Sequence, residues 1–179
     1  HLLLTGQAEA KVVAPVPWFP STHPRYDDRA AMARTPAREV LQGIDVHHPR
    51  YLLPPMIGQN IAPFMLAVGA ARTVSELLQH GFDFDLIDAH YYYPDGVAAA
   101  MLSRWFKRPF VVTARGSDLN VLGRDAVARR LMQWAATQAA ASIGVCNALA
   151  NILIDWSLPS DRVHVIRNGV DLHRFRPLS

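Results

Sequence analysis

Short apolar runs rich in β-branched residues alternate along this chain with longer segments of helical periodicity. This alternation is typical of a parallel β-sheet covered by helices on both faces, because parallel strands need crossover connections and are buried on both sides. The predicted strands are Lys11–Val16, Asp85–Ala89, Pro109–Ala114, Ala141–Val145 and Val163–Ile166. The predicted helices are Ile61–His80, Pro94–Phe106, Arg124–Ala140 and Asn147–Trp156. The sequence therefore predicts an α/β fold built on a parallel sheet.

The helix predicted at Arg124–Ala140 illustrates how periodicity assigns a buried face. The residues that share one face at helical spacing are Val127, Leu131, Trp134, Ala135 and Gln138. Asp125 stands at the amino end, where a helix favours negative charge. These features predict an amphipathic helix that packs on the sheet.

Residues 17–63 differ from the rest of the chain, because they hold most of its prolines and show little periodicity. We expect them to form a long excursion from the sheet. Within it, "REVLQGIDVHHPRY" alternates between apolar and polar residues on either side of Gln42-Gly43. This pattern predicts a β-hairpin whose second strand ends at Pro49.

Composition limits the functional classes. With 179 residues, 50% of them hydrophobic, the chain can bury a large core. The net charge of +3 is too small and too scattered to indicate nucleic-acid binding, although the many arginines suit partners that carry phosphate or carboxylate groups. The single cysteine cannot form an internal disulfide, so we expect a cytoplasmic protein, with the inner face of the membrane as a second location that stays open.

The most apolar stretch, Ile61–Ala71, contains Pro63 and Gly69 and is followed by Arg72. Because it is far shorter than the ~20 residues that span a bilayer, the sequence predicts no transmembrane helix. The first residues, "HLLLTGQ", lack the pattern of a signal peptide and look like the end of a helix whose start is absent.

Three unusual loops, "DAHYYYPDG", "ARGSD" and "RNGVD", directly follow predicted strands. The strands of an open parallel sheet end at one edge, and ligands bind beyond that edge. We therefore expect the polar residues of these loops to be neighbours in space. They are His90, Arg115, Asp118, Asn168 and Gly169.

These loop residues have both functional and structural interpretations. His90 suits hydrogen bonding to a hydroxyl or proton exchange near neutral pH, with a structural role as the alternative. Arg115 and Asp118 suit either a ligand contact or an ion pair that braces the loop. Gly116 permits a positive φ and a close approach of a ligand to the backbone. Asn168-Gly169 is first of all a turn, with a ligand contact as the alternative.

Two further features favour structural roles. No activating base for Cys146 is evident, so a buried structural cysteine is favoured over a reactive nucleophile. The segment "SRWFKRP", with Trp105, Phe106, Lys107 and Arg108, is favoured as a capped helix end with its aromatics in the core. Contact with an anionic membrane surface is the alternative for that segment. No Cys/His cluster has the spacing of a zinc site, so no metal or cofactor is predicted.

Four stretches carry a family resemblance: "AKVVAPVPWFP", "FDFDLIDAHYYYPDGVAAA", "RPFVVTARGSDLN" and "VHVIRNGVDLHRFRP". The last is the most specific, because it is similar to an Asn-Gly-Val-Asp, Phe and Pro signature. The chain resembles the N-terminal domain of GT-B glycosyltransferases of family 4, a retaining, nucleotide-sugar-dependent group that includes enzymes of polysaccharide and teichuronic acid assembly. The resemblance implies a single Rossmann-like, acceptor-side domain over residues 1–179.

The resemblance also implies roles for the loop residues. It makes His90 the catalytic residue, pointing into an interdomain cleft toward the acceptor or the sugar hydroxyls. It assigns Arg115, Gly116 and Asp118 to acceptor or cleft contacts, and Asn168-Gly169 to the vicinity of the donor phosphates. The implied partners are a nucleotide-sugar donor and a glycan or lipid-linked acceptor, without a bound metal.

The sequence departs from the family in several respects. A histidine usually stands where this chain has Arg115, and the family's first strand with its glycine-rich loop and its C-terminal donor domain are not found here. We therefore expect the isolated chain to be inactive and to associate through strand edges that the first strand would cover. The alternative functions are a sugar-nucleotide 2-epimerase of GT-B architecture and a non-catalytic binding domain.

Overall fold

The computed structural model describes residues 6–18, 32, 34–53, 58–170 and 175, which form two compact units. Unit 1 comprises the chain up to Asp85 together with Arg104–Lys107, and unit 2 comprises Leu86–Ser103 and the chain from Arg108 onward. The helix end predicted at the amino terminus and most of the segment after Val170 lie outside the described residues. The organisation as a single N-terminal domain of a longer enzyme stays a prediction.

Unit 1 contains short strands in two small sheets. They are β1 (Val12–Val13), β2 (Val16–Trp18), β3 (Arg38–Leu41), β4 (Ile44–His47) and β5 (Arg50–Leu52). One sheet has the order β1-β4-β3 and the other pairs β2 with β5. The β1–β4 and β2–β5 pairs are parallel, whereas β3 and β4 are antiparallel.

The strand predicted as one piece at Lys11–Val16 is two strands in the structure. Pro15 stands at the break between β1 and β2, and Pro49 stands at the break between β4 and β5. Proline has no backbone N–H to donate, so the ladder is interrupted on both sides. The N–H of Val16 donates to the carbonyl of Pro49 at 2.9 Å. This hydrogen bond joins the β1–β2 segment to the β4–β5 segment at the point where both are interrupted.

The predicted hairpin is confirmed. β3 and β4 pair antiparallel on either side of Gln42 and Gly43, whose φ angles are 51° and 82°. Positive φ at both central positions is what a two-residue type I′ turn requires, and glycine accepts it without a steric cost. β4 ends at His47, two residues before Pro49.

Helix α1 (Gly58–Gln79) packs on β5 in unit 1. Its buried residues on this side are Ala62, Leu66, Ala67, Ala70 and Val74. A Cβ atom at Gly69 would lie 2.8 Å from the Tyr51 side chain, so only glycine permits this approach. The absence of a side chain at Gly69 therefore allows the helix to pack closely on the strand.

Helix α1 agrees closely with the helix predicted at Ile61–His80, and it extends well beyond the apolar stretch Ile61–Ala71. It continues through Gly69 and Arg72, and its Asn60–Gln79 segment is long and apolar enough to cross a membrane by length and composition alone. About one third of that segment is buried within the protein (33%), and core helices of soluble proteins pass the same test. The prediction that this region is too short to span a bilayer is therefore wrong as to length.

Unit 2 contains a four-stranded parallel sheet with the order β6-β7-β8-β9. Its strands are β6 (Ile87–His90), β7 (Phe110–Ala114), β8 (Ala141–Gly144) and β9 (Val163–Val165). The α/β class with a parallel sheet is confirmed. Phe110, Val112 and Ala114 of β7 are fully buried, as a continuous apolar strand between two neighbours should be. Among the described residues β6 pairs with β7 alone, so it forms an edge of this sheet.

Helices follow the strands of unit 2. They are α2 (Val97–Phe106), α3 (Ser117–Asn120), α4 (Ala126–Gln138) and α5 (Asn147–Asp155). Asp125, predicted at the amino end of this helix, caps α4, since its carboxylate accepts hydrogen bonds from the N–H groups of Val127 and Ala128 at 2.9 and 2.8 Å. The core centres on Tyr92, Phe110, Met132 and Leu153.

Two predictions about side-chain burial are wrong or only partly right. Of the face predicted for α4, Ala135 is buried and Leu131 and Trp134 pack against the core, whereas Val127 is 49% exposed and Gln138 is also exposed. The other buried residues of α4 are Ala128, Met132 and Ala136. Trp105, expected in the core, is exposed at the end of α2.

Candidate active site at the rim of the parallel sheet

The carboxyl ends of β6, β7 and β9 bring three loops to one rim of the sheet. β6 ends at His90, Arg115 directly follows β7, and Asn168 lies three residues after β9. The guanidinium of Arg115 donates from Nη2 to His90 Nδ1 at 2.7 Å and from Nη1 to Asn168 Oδ1 at 2.9 Å. The structure thus brings together residues that are 25 and 53 positions apart.

Arg115 is exposed, and the two acceptors that it contacts are both uncharged groups when the imidazole is neutral. A guanidinium is always protonated and only donates hydrogen bonds. Its positive charge is therefore held at the rim by neutral side chains, an arrangement that leaves it suited to an anionic or hydroxyl-rich ligand.

Asp118 does not face the cleft, and this corrects its predicted role in acceptor or cleft contacts. Its side chain is fully buried, and its carboxylate accepts hydrogen bonds from the backbone N–H groups of Tyr92 (2.9 Å), Arg115 (3.1 Å) and Gly116 (2.8 Å). The alternative of a side-chain ion pair with Arg115 is also wrong, because the guanidinium contacts His90 and Asn168 instead. Asp118 braces the first two loops by their backbones.

Gly116 has the backbone conformation that the sequence predicted. Its φ is 126°, which strains any other residue, and it stands immediately before α3. A Cβ atom there would meet nothing within 4 Å. The glycine is thus required by backbone angle rather than by crowding, and the space above it is open to a ligand.

Asp88 adds a carboxylate beside His90. Its Oδ2 lies 3.3 Å from His90 Nε2, and both side chains are about half exposed (50% and 52%). The two residues alternate with Ala89 on β6 and therefore point to the same face of the strand. The imidazole of His90 is flanked by a guanidinium on one nitrogen and a carboxylate on the other.

Asp95 lies in the wide turn Tyr92–Gly96 that separates β6 from α2. Burial raises its pKa from 3.8 to about 6, while a backbone hydrogen bond and the charge of His90 lower the pKa in part. A carboxyl group that titrates near neutral pH is typical of functional sites. The helix predicted to begin at Pro94 begins at Val97 instead, because this turn precedes it.

Tyr91 and Ser117 belong to the same rim and were not among the predicted site residues. Tyr91 has a φ of 89°, an outlier for a bulky side chain, and its hydroxyl lies 2.5 Å from Ser117 Oγ. Such strain is found preferentially at functional sites. The run of tyrosines hinted at a special loop, but no local pattern predicts this backbone angle.

The remaining predicted residues lie at the surface. Gly169 is exposed beside Asn168. Cys146 is exposed, so the prediction of a buried cysteine is wrong. It stands just before α5. Within the described residues, no group of three or more His, Cys, Asp or Glu side chains forms a metal site.

The family follows from the sequence as a whole. Residues 7–174 match Glycosyltransferase Family 4. The chain belongs to glycosyltransferase family 4. The predicted resemblance is confirmed. In this family 4 chain the polar loops meet at the rim of the parallel sheet.

Two curated relatives agree with this assignment. The chain is 33% identical over 108 residues to TuaC of Bacillus subtilis (strain 168), whose name assigns it to teichuronic acid biosynthesis as a glycosyltransferase. It is 34% identical over 87 residues to an uncharacterized glycosyltransferase of Methanocaldococcus jannaschii. These alignments cover 60% and 49% of the chain but 26% and 24% of the relatives, so the chain spans about a quarter of their length.

Among solved structures, the chain is similar to HepE of Anabaena, which was crystallised with UDP and glucose. The superposition has a TM-score of 0.55 at 18% identity and covers 92% of this chain and 46% of HepE. At this level of identity the similarity establishes the fold alone. A second crystal structure of HepE, with UDP-glucose, superposes equally well (TM-score 0.55).

Proposed function

We propose that this chain is the acceptor-side domain of a retaining glycosyltransferase that transfers a sugar from a nucleotide-sugar donor to a glycan or lipid-linked acceptor. The observation that carries the proposal is the contact of one guanidinium with His90 and Asn168 at the rim of the parallel sheet. Family membership supports the reaction class. The crystal structures of HepE with UDP, glucose and UDP-glucose support a nucleotide-sugar donor.

Within this proposal, His90 contacts the acceptor or the hydroxyls of the sugar, and Arg115 with Gly116 forms the adjoining cleft wall. Asn168-Gly169 lies near the donor phosphates. The hydrogen bond from Arg115 to Asn168 places the positive guanidinium next to this segment. Asp118 supports the loops from below instead of contacting substrate. The proposed location is the cytoplasm, with the inner face of the membrane as the alternative if the acceptor is lipid-linked.

The test is transfer by the whole protein that contains this chain, with UDP-glucose as the first donor. We expect His90→Ala and Arg115→Ala each to lower the transfer rate on the order of 100-fold, the size of a lost proton-transfer or charge-stabilising group. His80→Ala and Arg129→Ala are matched controls, because these exposed residues lie outside the rim. Wild-type rates in both rim variants would overturn the assignment of the site.

Two further measurements test the remaining parts of the proposal. The anomeric configuration of freshly formed product, followed by NMR, is expected to match that of the donor, and inversion would contradict retention. Without acceptor, an epimerised nucleotide sugar would favour the 2-epimerase alternative. The 179 residues alone are expected to show no turnover.

Self-association through the edge of β6 is part of the same proposal. An unpaired strand edge offers N–H and C=O groups to a second chain. We expect light scattering of the 179-residue chain to detect dimers or larger species whose fraction rises with concentration. A monomer at every concentration would contradict it.

A further inference from the structure

The two ring nitrogens of His90 face groups of opposite charge. Nδ1 lies 2.7 Å from Nη2 of Arg115, and Nε2 lies 3.3 Å from Oδ2 of Asp88. The charge of Asp95 also acts on this ring from the following turn. The chemistry of these neighbours decides which nitrogen carries the proton.

A guanidinium has no acceptor, so Nδ1 can contact Arg115 only through its unprotonated lone pair. An ionised carboxylate has no donor, so Nε2 can contact Asp88 favourably only as an N–H group. The neutral tautomer with the proton on Nε2 satisfies both neighbours. The other tautomer would place an N–H against a guanidinium and a lone pair against a carboxylate.

We propose that Asp88 is a positioning residue that holds His90 in the Nε2–H tautomer and thereby keeps Nδ1 available to Arg115. A carboxylate beside one nitrogen of a histidine favours the proton on that nitrogen by its charge and leaves the other nitrogen as the acceptor. Asp88 thus acts on Arg115 and Asn168 through His90. The inference rests on the proposed function only for its effect on sugar transfer.

The two sides of the imidazole have unequal contacts, and this makes the proposal testable. The Arg115 contact is short, whereas the Asp88 contact is longer and half exposed. Asp88→Ala removes the carboxylate from beside Nε2, whereas Asp88→Asn keeps an oxygen on the side chain without the negative charge. The conservative variant should therefore retain part of the effect that the alanine variant loses.

The test is a long-range ¹H–¹⁵N correlation spectrum of the imidazole rings in the ¹⁵N-labelled 179-residue chain at about pH 8, where a histidine of ordinary pKa, ~6.5, is neutral. The His90 signals are assigned by their loss in His90→Gln. His80 is an internal reference for the opposite tautomer, because its Nδ1 lies 2.6 Å from the carbonyl oxygen of Glu76 and must donate.

We expect the Nε2–H pattern for His90 in the wild-type chain. In Asp88→Ala the two nitrogen resonances should shift toward each other as the tautomers mix, with a smaller shift in Asp88→Asn and none in the control Asp161→Ala. An Nδ1–H pattern in the wild-type chain would overturn the proposal, as would an unchanged His90 spectrum in Asp88→Ala. None of these results depends on transfer, so a protein without transferase activity would contradict the proposed function and leave this test intact.

Discussion

The hairpin of unit 1 and the rim of unit 2 each hold an aspartate of perturbed pKa, and the two pKa values move in opposite directions. Asp45 in the hairpin lies 2.6 Å from Arg38 Nε, 3.1 Å from Lys11 Nζ and 3.2 Å from His47 Nε2. These partners, above all the hydrogen bond from Arg38, hold the pKa of Asp45 well below its usual range. At the rim, burial raises the pKa of Asp95 to about 6.

The two pKa shifts have different physical causes. The hairpin surrounds its carboxylate with cations that favour the ionised form, as expected where the charge only joins strands. At the rim, desolvation of Asp95 favours the protonated form more than its backbone hydrogen bond and the charge of His90 favour the ionised form. Carboxyl groups with raised pKa values are more frequent at functional sites than elsewhere.

The largest expected effect concerns the buried brace of the rim. Asp118→Ala should lower the free energy of unfolding by about 3 kcal/mol, because it leaves buried backbone N–H groups without an acceptor. Chemical denaturation of the 179-residue chain measures this effect.

Asp125→Ala is the matched control for the brace. This aspartate also accepts from two backbone N–H groups, but at an exposed helix cap, so we expect a loss of about 1 kcal/mol. Equal losses in the two variants would show that burial does not distinguish the brace from the cap.

Asp95→Asn should stabilise the chain at high pH. Because the folded-state pKa of about 6 lies above the unfolded value of 3.8, protonation stabilises the folded state fully below pH 4, and this stabilisation is lost as the pH rises through 6. The variant should therefore match the wild type near pH 4 and exceed it by up to about 3 kcal/mol at pH 8.

Denaturation curves from pH 4 to pH 8 measure this difference. A gap that does not change with pH would contradict the effect of burial on Asp95. Asp155→Asn, an exposed aspartate at the end of α5, serves as the control.

Asp45→Asn should have the opposite dependence and a smaller effect. Because the folded-state pKa of Asp45 lies below the unfolded value, its stabilisation is present above pH 4 and is lost as the pH falls further. The variant should be less stable than the wild type near pH 7, and high salt should narrow the gap, since Arg38 is largely exposed. A gap that grows on acidification would contradict the role of the cations.

Much of the fold could be predicted, because its signals are local. The hairpin at Gln42-Gly43 and the cap at Asp125 follow from a few adjacent residues, and the four strands of unit 2 follow from apolar runs. The predicted Lys11–Val16 strand was divided, and its sheet assignment needed the partner strand with Pro49. The buried face of α4 was predicted only in part, because Ala128, Met132 and Ala136 are buried while Val127 is exposed.

The site could be predicted to the level of which loops meet, but not of what each side chain contacts. His90, Arg115 and Asn168 were expected together and are in contact. Asp118 was expected in the cleft and is buried, because it satisfies backbone N–H groups of two loops. Tyr91 was missed, because its positive φ is imposed by neighbours distant in sequence.

The alternation of apolar and helical segments by itself determined that parallel strands would end at one rim and that its loops would carry the polar chemistry. Only the tertiary structure decided which of those polar groups face solvent, which brace the backbone and which carboxyl group titrates near neutral pH. The physical reason is the separation along the sequence of the residues that interact. Periodicity and turn chemistry depend on residues that are close together in the sequence. Burial and hydrogen bonding at the rim join residues 25 to 53 positions apart.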